Sequence, residues 1–498
     1  MSMLERGVLF HKARSSVKWT FWSQVIRQVE QFTSTAVLAR LIVPQEFGIV
    51  SMAFVFIGFL QLFTDMGFGP ALIRQESLTD ELIATCFWLS ILFGIVLVVV
   101  CVPLNPVVGR VYQMKEVGVI FFALSLNFPL LSLSTVQQAL LEKDLNFKFV
   151  SLTEISSSTV GTVGSIVLAL TGFGVWSLVG RVVLSSLVKA ILMMSRARFN
   201  GLFHFRLGSL RDVWGFSFFL FGFNLINYTS RNTDNLLVGK FLGATPLAFY
   251  NLAYQLMLYP LTYITWLLSR VMYPVFVKFQ NDVSRFREVY LQTTRLIAFI
   301  SFPLTLGLNV VAPEFVVGLL GPKWVSAVPL IRILAGAGLL QSIGSLVGNI
   351  YQTLNKMRYL FIWSVLATLL TVESFVIGLR WGITGVALAY ALATLILTSF
   401  NFQMALPFIE SSLFHLVRSI WRSLAASLGM ACILGLVRLL LTKLIDPIVA
   451  MLVEVALGAM IYFILSLLLN RKDVRLFLSV LPKSANRFIP RLLMESLG

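Results

Sequence analysis

The sequence predicts an all-α polytopic membrane protein of about 14 transmembrane helices, arranged as two pseudo-symmetric six-helix lobes followed by two additional helices. The first observation is composition: 58% of the 498 residues are hydrophobic and 12% are charged, too few charges to cover a water-soluble protein of this length. The second is that apolar runs of about 20 residues recur from end to end, long enough to cross a hydrocarbon core. The third is a pattern of polar residues that occurs in both halves of the chain.

Helices fit these runs better than strands, because a membrane strand alternates apolar and polar residues over only about ten positions. Charged residues, glycines or prolines interrupt the apolar sequence between one run and the next. The predicted spans are 17–43, 47–66, 81–104, 117–141, 150–172, 174–195, 213–240, 246–277, 291–320, 326–352, 357–379, 382–407, 415–442 and 446–469.

The segment between the first two spans predicts a helical hairpin. Proline cannot continue a helix without losing a hydrogen bond, so Pro44 is expected to end the first span. Gln45 and Glu46 then face water, and Phe47 begins the second span. Arg40 lies close enough to this tip for its long side chain to reach the interface.

The distribution of cations predicts the orientation. Lys and Arg concentrate in the N-terminal segment, in the loops after even-numbered spans and in the tail, and the positive-inside rule assigns those parts to the cytoplasm. The net charge of +17 then indicates contact with anionic lipid, and no nucleic-acid partner is expected. The first 18 residues are basic and polar, so no cleavable signal peptide is expected. The opposite loops contain only Arg110, Lys115, Lys323, Arg380 and Lys443, with Lys240 at the last position of the seventh span.

Two segments outside the spans mix cations with apolar residues and are expected to lie on the cytoplasmic membrane surface. One is residues 196–212, which separates the two groups of six spans, and the other is the tail. The predicted organisation is therefore an N-terminal lobe at 1–195, an amphipathic linker at 196–212, a second lobe at 213–407, two additional helices at 408–470 and a basic tail at 471–498.

The first helix of each predicted lobe has a polar stripe with helical periodicity. An arginine in the middle of a membrane helix costs about 2.5–3.5 kcal/mol on insertion scales, so these stripes should face a hydrated cavity or another helix. We predict a cavity between the lobes; the alternative is that the arginines pair with the acids three positions later, Arg27 with Glu30 and Arg231 with Asp234. The cavity residues predicted are Gln24, Arg27, Gln28, Gln31, Asn224, Asn227, Tyr228, Arg231 and Asp234.

The sequence argues against catalysis and against cofactors. It contains no Walker A motif for nucleotide hydrolysis and no HExxH zinc motif. Its three cysteines and three histidines are too scattered for a metal site and are expected to be structural. A membrane-embedded polysaccharide polymerase would need paired acids near a large outward loop, and the predicted outward loops are short. The pairs Asp80/Glu81 and Glu142/Asp144 flank cytoplasmic helix ends. We therefore predict no catalytic residues, no metal and no cofactor.

At the level of motifs, the chain resembles the polysaccharide exporters of the multidrug/oligosaccharidyl-lipid/polysaccharide flippase superfamily, a branch that includes the colanic acid and teichuronic acid exporters. The resemblance extends over about residues 15–470 and rests on local motifs. These are Leu38-Ala39-Arg40-Leu41, Pro44-Gln45-Glu46-Phe47-Gly48, Asp65-Met66-Gly67-Phe68-Gly69-Pro70, Asn251-Leu252-Ala253-Tyr254 and Gly321-Pro322-Lys323-Trp324.

This resemblance implies export of a polyprenyl-diphosphate-linked oligosaccharide across the bacterial plasma membrane by alternating access. Amides and hydroxyls suit the glycan, and arginine suits the diphosphate because its planar fork binds oxyanions at two points. Partners would be the lipid-linked substrate, membrane lipids and polysaccharide polymerases or glycosyltransferases. A multidrug cation antiporter of the same architecture remains the alternative, as does, less favoured, the polymerase. Glu30 and Asp65 are candidates for ion coupling.

The topology generates the first testable prediction. A reporter fused after Gly498 and one inserted near Gly208 should both report a cytoplasmic location, whereas a reporter at Gln45 should report the opposite side, because the cation distribution orients the spans. Fusions to alkaline phosphatase and to a fluorescent protein provide the two readouts. A reporter near Gly208 found outside would contradict the predicted number of spans before the linker.

Overall fold

The computed structural model describes residues 3–65, 68–75, 78–196, 211–441 and 445–480, without the side chains of 3–18, 21, 65, 211–220, 223, 226, 230, 260–271, 440–441, 476 and 478–480. This described part is helical almost throughout and contains no strand. Its α-helices are α1 (Met3–Leu41), α2 (Pro44–Asp65), α3 (Phe68–Arg74), α4 (Asp80–Val111), α5 (Lys115–Ser125), α6 (Asn127–Lys143), α7 (Phe147–Leu170), α8 (Val175–Met194), α9 (Arg211–Leu242), α10 (Ala244–Lys278), α11 (Val283–Phe315), α12 (Val328–Gly344), α13 (Val347–Thr353), α14 (Met357–Gly378), α15 (Gly382–Ala405), α16 (Leu413–Leu441), α17 (Pro447–Leu469) and α18 (Arg471–Val480).

Every predicted span coincides with one long helix or with two helices in line. This confirms the all-α membrane fold. Nine segments among the described residues are long and apolar enough to cross a membrane by hydropathy alone, one of which contains both α14 and α15. The fully described helix α7 is not among them, because serines, threonines and Glu154 interrupt its apolar sequence.

Two predicted spans are broken in the structure. The fourth span consists of α5 and α6, which separate at Leu126, and the tenth consists of α12 and α13, which separate at Ser345–Leu346. The fourth and tenth spans would correspond to each other in a six-helix duplication, so the paired breaks support that prediction. The described chain divides by its own contacts into two compact units, Met1–Ala248 and Phe249–Gly498. The lobe boundaries drawn from the sequence stay predictions.

The first hairpin tip corrects one detail of the sequence analysis. Helix α1 ends at Leu41 and α2 begins at Pro44 itself, so Pro44 starts the second helix instead of ending the first. The first position of a helix tolerates proline because its missing N–H would have no partner inside the helix. Gln45 is exposed as expected, whereas Glu46 is half-buried.

Gly174, at the start of α8, allows Glu46 of this hairpin tip to lie close to the backbone there. Gly174 precedes α8 with a φ of +50°, a left-handed conformation that favours glycine. A Cβ at this position would lie 2.5 Å from Glu46 Oε1, so any larger residue would displace that carboxylate. The chain therefore turns tightly at 172–175 and places Glu46 at the N-terminal end of α8, where helix dipoles favour an anion.

The predictions for the linker and for the tail concern residues that the structure describes only in part. Most of the linker, residues 197–210, and the tail beyond residue 480 lie outside the described residues. Phe68–Pro70, the last part of the motif at 65–70, begin the short helix α3, whose Phe68, Ala71 and Leu72 are buried against α4 and α6. The beginning of the tail forms the amphipathic helix α18.

Helix α18 is held to the C-terminal unit by a buried ion pair. Asp473 is almost fully buried, and its Oδ1 lies 2.6 Å from Nε of Arg295 on α11. Asn470 donates a hydrogen bond to the same carboxylate. Burial raises the pKa of Asp473, opposed by the Asn470 hydrogen bond and by the Arg295 charge. Beside this pair, Phe477 packs against Phe299 with ring centroids 5.6 Å apart.

This ion pair generates a stability prediction. Arg295→Met should lower the free energy of unfolding by about 3 kcal/mol, because it leaves the Asp473 carboxylate buried without its cation. Adding Asp473→Asn should restore part of the loss, since the buried charge is then removed as well. The measurement is thermal unfolding of detergent-purified protein.

The matched control lies on the same helix. Arg287 faces Glu410 at 4.0 Å in an exposed pair, and exposed pairs contribute about 0–1 kcal/mol. Arg287→Met should therefore change thermal stability little. Equal losses from the two arginine variants would contradict the assignment of Arg295 as a structural anchor.

Candidate functional site

The polar stripe of α1 packs against α7 and acquires charged partners there. Arg27 Nη2 lies 3.2 Å from Glu154 Oε2 and donates to Gln24 Oε1 at 2.7 Å. Ser23 Oγ donates to the same Glu154 oxygen at 3.4 Å. Arg27 remains about one-third exposed, so the pair is accessible from one side.

Glu30 does not pair with Arg27, and this corrects the alternative drawn from the sequence. Its two carboxylate oxygens accept hydrogen bonds from the hydroxyls of Ser158 and Thr159 on α7. An arginine that precedes a glutamate has the less favourable order for an ion pair within a helix. The hydroxyls and Glu154 of α7 supply the partners instead.

A further cation lies in this region and was missed by the sequence analysis. Lys189 on α8 is within electrostatic range of both Glu154 and Arg27. The N-terminal unit therefore brings two cations, on α1 and α8, together with two acids, Glu154 on α7 and Glu142 on α6. A signal for Glu154 and Lys189 was present in the sequence, since each is the only charged residue in the middle of an apolar or hydroxyl-rich run.

The stripe of α9 packs against α2. Tyr228 Oη lies within hydrogen-bonding distance of the Phe54 and Val55 carbonyls, at 3.1 and 3.0 Å, and donates its proton to them. A Cβ at Gly58 would lie 2.3 Å from the same oxygen, so glycine makes room for the Tyr228 hydroxyl. Tyr228, predicted as a cavity residue, thus also fixes α9 to α2.

The remaining stripe residues of α9 differ in exposure. Asn227 and Arg231 are exposed, Asn224 is half-buried and Asp234 is buried. Asp234 Oδ1 accepts a hydrogen bond from the backbone N–H of Asn235 at 2.7 Å. On α1, Gln24 and Gln31 are exposed and Gln28 is half-buried. Exposed amides and an exposed arginine can exchange bound water for a ligand at a lower free-energy cost than buried polar groups can.

The contacts described above join α1 to α7 and α9 to α2. They neither join the two stripes to each other nor test the predicted cavity, which stays a prediction. Asp65 is the last residue of α2, and its side chain is outside the described part. The described residues contain no group of three or more His, Cys, Asp or Glu side chains that could hold a metal.

Comparison with known proteins identifies the family. Residues 37–329 match the model of a family described as "Polysaccharide biosynthesis protein". The chain belongs to this polysaccharide biosynthesis family. It is 30% identical over 388 residues to the teichuronic acid biosynthesis protein TuaB of Bacillus subtilis, which covers 77% of this chain and 80% of that protein.

Two further similarities agree with this family. The chain is 28% identical over 421 residues to the lipopolysaccharide biosynthesis protein WzxC of Escherichia coli, covering 83% of this chain and 85% of that one. Its fold is similar to that of the lipid II flippase MurJ in an inward closed conformation, with a TM-score of 0.70, 17% identity and coverage of 92% and 99%. The superfamily resemblance predicted from the motifs is confirmed.

The pair Arg27–Glu154 generates a prediction about its role. Arg27→Met and Glu154→Gln should each lower thermal stability, and the double variant should lose less than the sum, with an interaction energy of about 0.5–3 kcal/mol. The control cycle combines Glu154→Gln with Gln31→Leu, one turn further along α1 and without an ion pair. Additivity in the Arg27 cycle would show that the pair does not stabilise the packing of α1 on α7.

Proposed function

We propose that this protein is a flippase that moves a polyprenyl-diphosphate-linked oligosaccharide across the bacterial plasma membrane by alternating access. The observation that supports this most directly is the pair of polar stripes on α1 and α9, with exposed amides and an exposed arginine inside helices that must cross hydrocarbon. The glycan cannot cross hydrocarbon unaided, because each unpaired hydroxyl would lose its hydrogen bonds to water.

The comparisons support the substrate class. The relatives named above are biosynthesis proteins for teichuronic acid and lipopolysaccharide, and the solved structure of similar fold is a lipid II flippase. A transport role without catalysis agrees with these names. On this proposal both termini lie in the cytoplasm, and polysaccharide polymerases or glycosyltransferases would supply or consume the substrate.

The two arginines have different roles in this proposal. Arg27 is already paired with Glu154, so its charge is largely compensated and it mainly positions the amides around it. Arg231 is exposed on α9 and would bind the diphosphate through its bidentate fork. Gln24, Gln31 and Asn227 would bind sugar hydroxyls.

The membrane potential would assist outward movement of an anionic substrate. An inside-negative potential contributes about 2.3 kcal/mol per charge per 100 mV. When the diphosphate is paired with Arg231, the net charge that crosses the membrane is smaller than for an unpaired diphosphate. The membrane potential then contributes less to the movement. Ion coupling through Glu30 or Asp65 stays a prediction.

The test uses purified protein in proteoliposomes with a fluorescently labelled polyprenyl-diphosphate oligosaccharide. Arg231→Ala should slow transbilayer movement about tenfold or more, because it removes charge-assisted hydrogen bonds worth about 1.5–3 kcal/mol. Arg231→Lys should restore only part of the rate, since a point charge lacks the fork. Arg380→Ala, at an exposed turn between α14 and α15, is the matched control and should leave the rate unchanged.

A second assay separates the antiporter alternative. The same proteoliposomes receive a quaternary ammonium dye and a proton or sodium gradient. Gradient-driven dye movement with no movement of labelled oligosaccharide would contradict the proposed function and favour a multidrug cation antiporter. An unchanged rate in Arg231→Ala, with normal insertion and stability, would contradict the role given to that residue.

A further inference from the structure

Three charged residues converge within the C-terminal unit, on helices other than the two that contain the polar stripes. Glu314 lies near the end of α11, Arg438 in the last turns of α16 and Glu454 in the third turn of α17. These three helices pack against one another. Arg438 Nε donates a hydrogen bond to Glu314 Oε1 at 2.8 Å, and the charges of Glu314 and Arg438 both act on the Glu454 carboxyl.

Glu454 is fully buried and has no hydrogen-bond partner. Its relative exposure is 0%, and both of its carboxylate oxygens are enclosed without a donor. Glu314 is also buried, and its second oxygen, Oε2, likewise lacks a donor. Enclosing an ionised carboxylate without partners costs far more than enclosing a neutral acid.

The charge balance of the cluster requires one more positive charge. One arginine faces two buried glutamates, so the ionised cluster has a net charge of −1. A single proton on Glu454 makes the cluster neutral and converts that carboxyl into a hydrogen-bond donor. The unpartnered Oε2 of Glu314 is then available as the acceptor.

Among the described residues of α11, α16 and α17, no other charged side chain competes with Glu454 for this proton. Glu454 is the only charged residue of α17, and the π-helical turn Val316–Leu320 that packs beside it is uncharged. The other charged residues of α11 and α16 lie in the first halves of those helices, and Cys432 on α16 is an exposed thiol. Helix α18 follows the opposite end of α17.

The cluster is near helix ends, so water can deliver the proton over a short path. Glu314 is one residue before the end of α11, and Glu454 is seven residues after Pro447 at the start of α17, a distance of about 10 Å along the helix axis. The π-helical turn directly follows α11, and such irregular turns are frequent at functional sites. Gly318 in this turn lies against the start of α17, because a Cβ there would be 3.2 Å from the Ile448 nitrogen.

We propose that Glu454, Glu314 and Arg438 form a binding site for one proton, carried by Glu454 and shared with Glu314. A sodium ion fits the site poorly, because Arg438 already occupies one Glu314 oxygen and repels a second cation. Two of its three residues, Arg438 and Glu454, lie in the two helices predicted as additions to the lobes, and Glu314 lies on α11. The site therefore goes beyond the oligosaccharide flippase proposal and does not depend on it.

The test measures the proton directly by infrared difference spectroscopy of the full-length protein in lipid nanodiscs, titrated between about pH 5 and 9. The wild-type protein should show a protonated carboxylic acid band that disappears as the pH rises, and Glu454→Gln should lose the component of this band that Glu454 contributes. Glu314→Gln should move its disappearance to a different pH, because it removes the neighbouring carboxylate. Glu373→Gln, at an exposed position of α14, is the matched control and should retain the band.

Thermal stability provides an independent readout. The wild-type protein should become less stable as the pH rises and the proton leaves the buried cluster, whereas Glu454→Gln should lose most of this dependence. Identical infrared titrations for wild type and Glu454→Gln would overturn the proposal. Loss of the band on adding sodium chloride at constant pH would overturn it as well, because the site would then bind a metal cation in place of the proton.

Discussion

The cost of enclosing charge within a membrane is the constraint on which the rest of this structure depends. Lipid tails are as apolar as leucine, so hydrophobicity alone gives the helices little reason to choose particular neighbours. Ion pairs between helices supply that reason. Arg27 with Glu154, Arg438 with Glu314 and Arg295 with Asp473 each join helices that are distant in sequence. Each pair therefore fixes which helices pack together, while the apolar residues around it fill the remaining space.

The helices themselves were predictable, because their limits depend on local sequence. An apolar run must satisfy its own backbone hydrogen bonds in hydrocarbon, and only a helix does so within one segment. The predicted helix limits were wrong only at positions where the local sequence allows more than one structure. Pro44 can end one helix or begin the next, and only the packing of the hairpin decides between them. The breaks at Leu126 and Leu346 were missed because apolar residues continue through both.

The partners of the polar residues were not predictable in the same way. Each stripe indicates that its residues must avoid lipid, but it does not indicate which helix covers them. The sequence suggested Glu30 as the partner of Arg27 because both lie on α1. In the structure, α7 supplies Glu154 to Arg27 and two hydroxyls to Glu30. A lone acid in a membrane helix, such as Glu154 or Glu454, is a signal that a partner exists, but its identity depends on tertiary packing.

Exposure separates the charges that can bind a ligand reversibly from those that hold helices together. An exposed arginine such as Arg231 can exchange water for a diphosphate and release it again, because neither state leaves a buried charge unpaired. The Arg295–Asp473 pair cannot do so, since removing either partner leaves an enclosed charge. Glu454 belongs to neither class. It is enclosed yet unpartnered, and a carboxyl in that position can change its charge only by gaining or losing a proton, which is the smallest ligand that a closed site can admit.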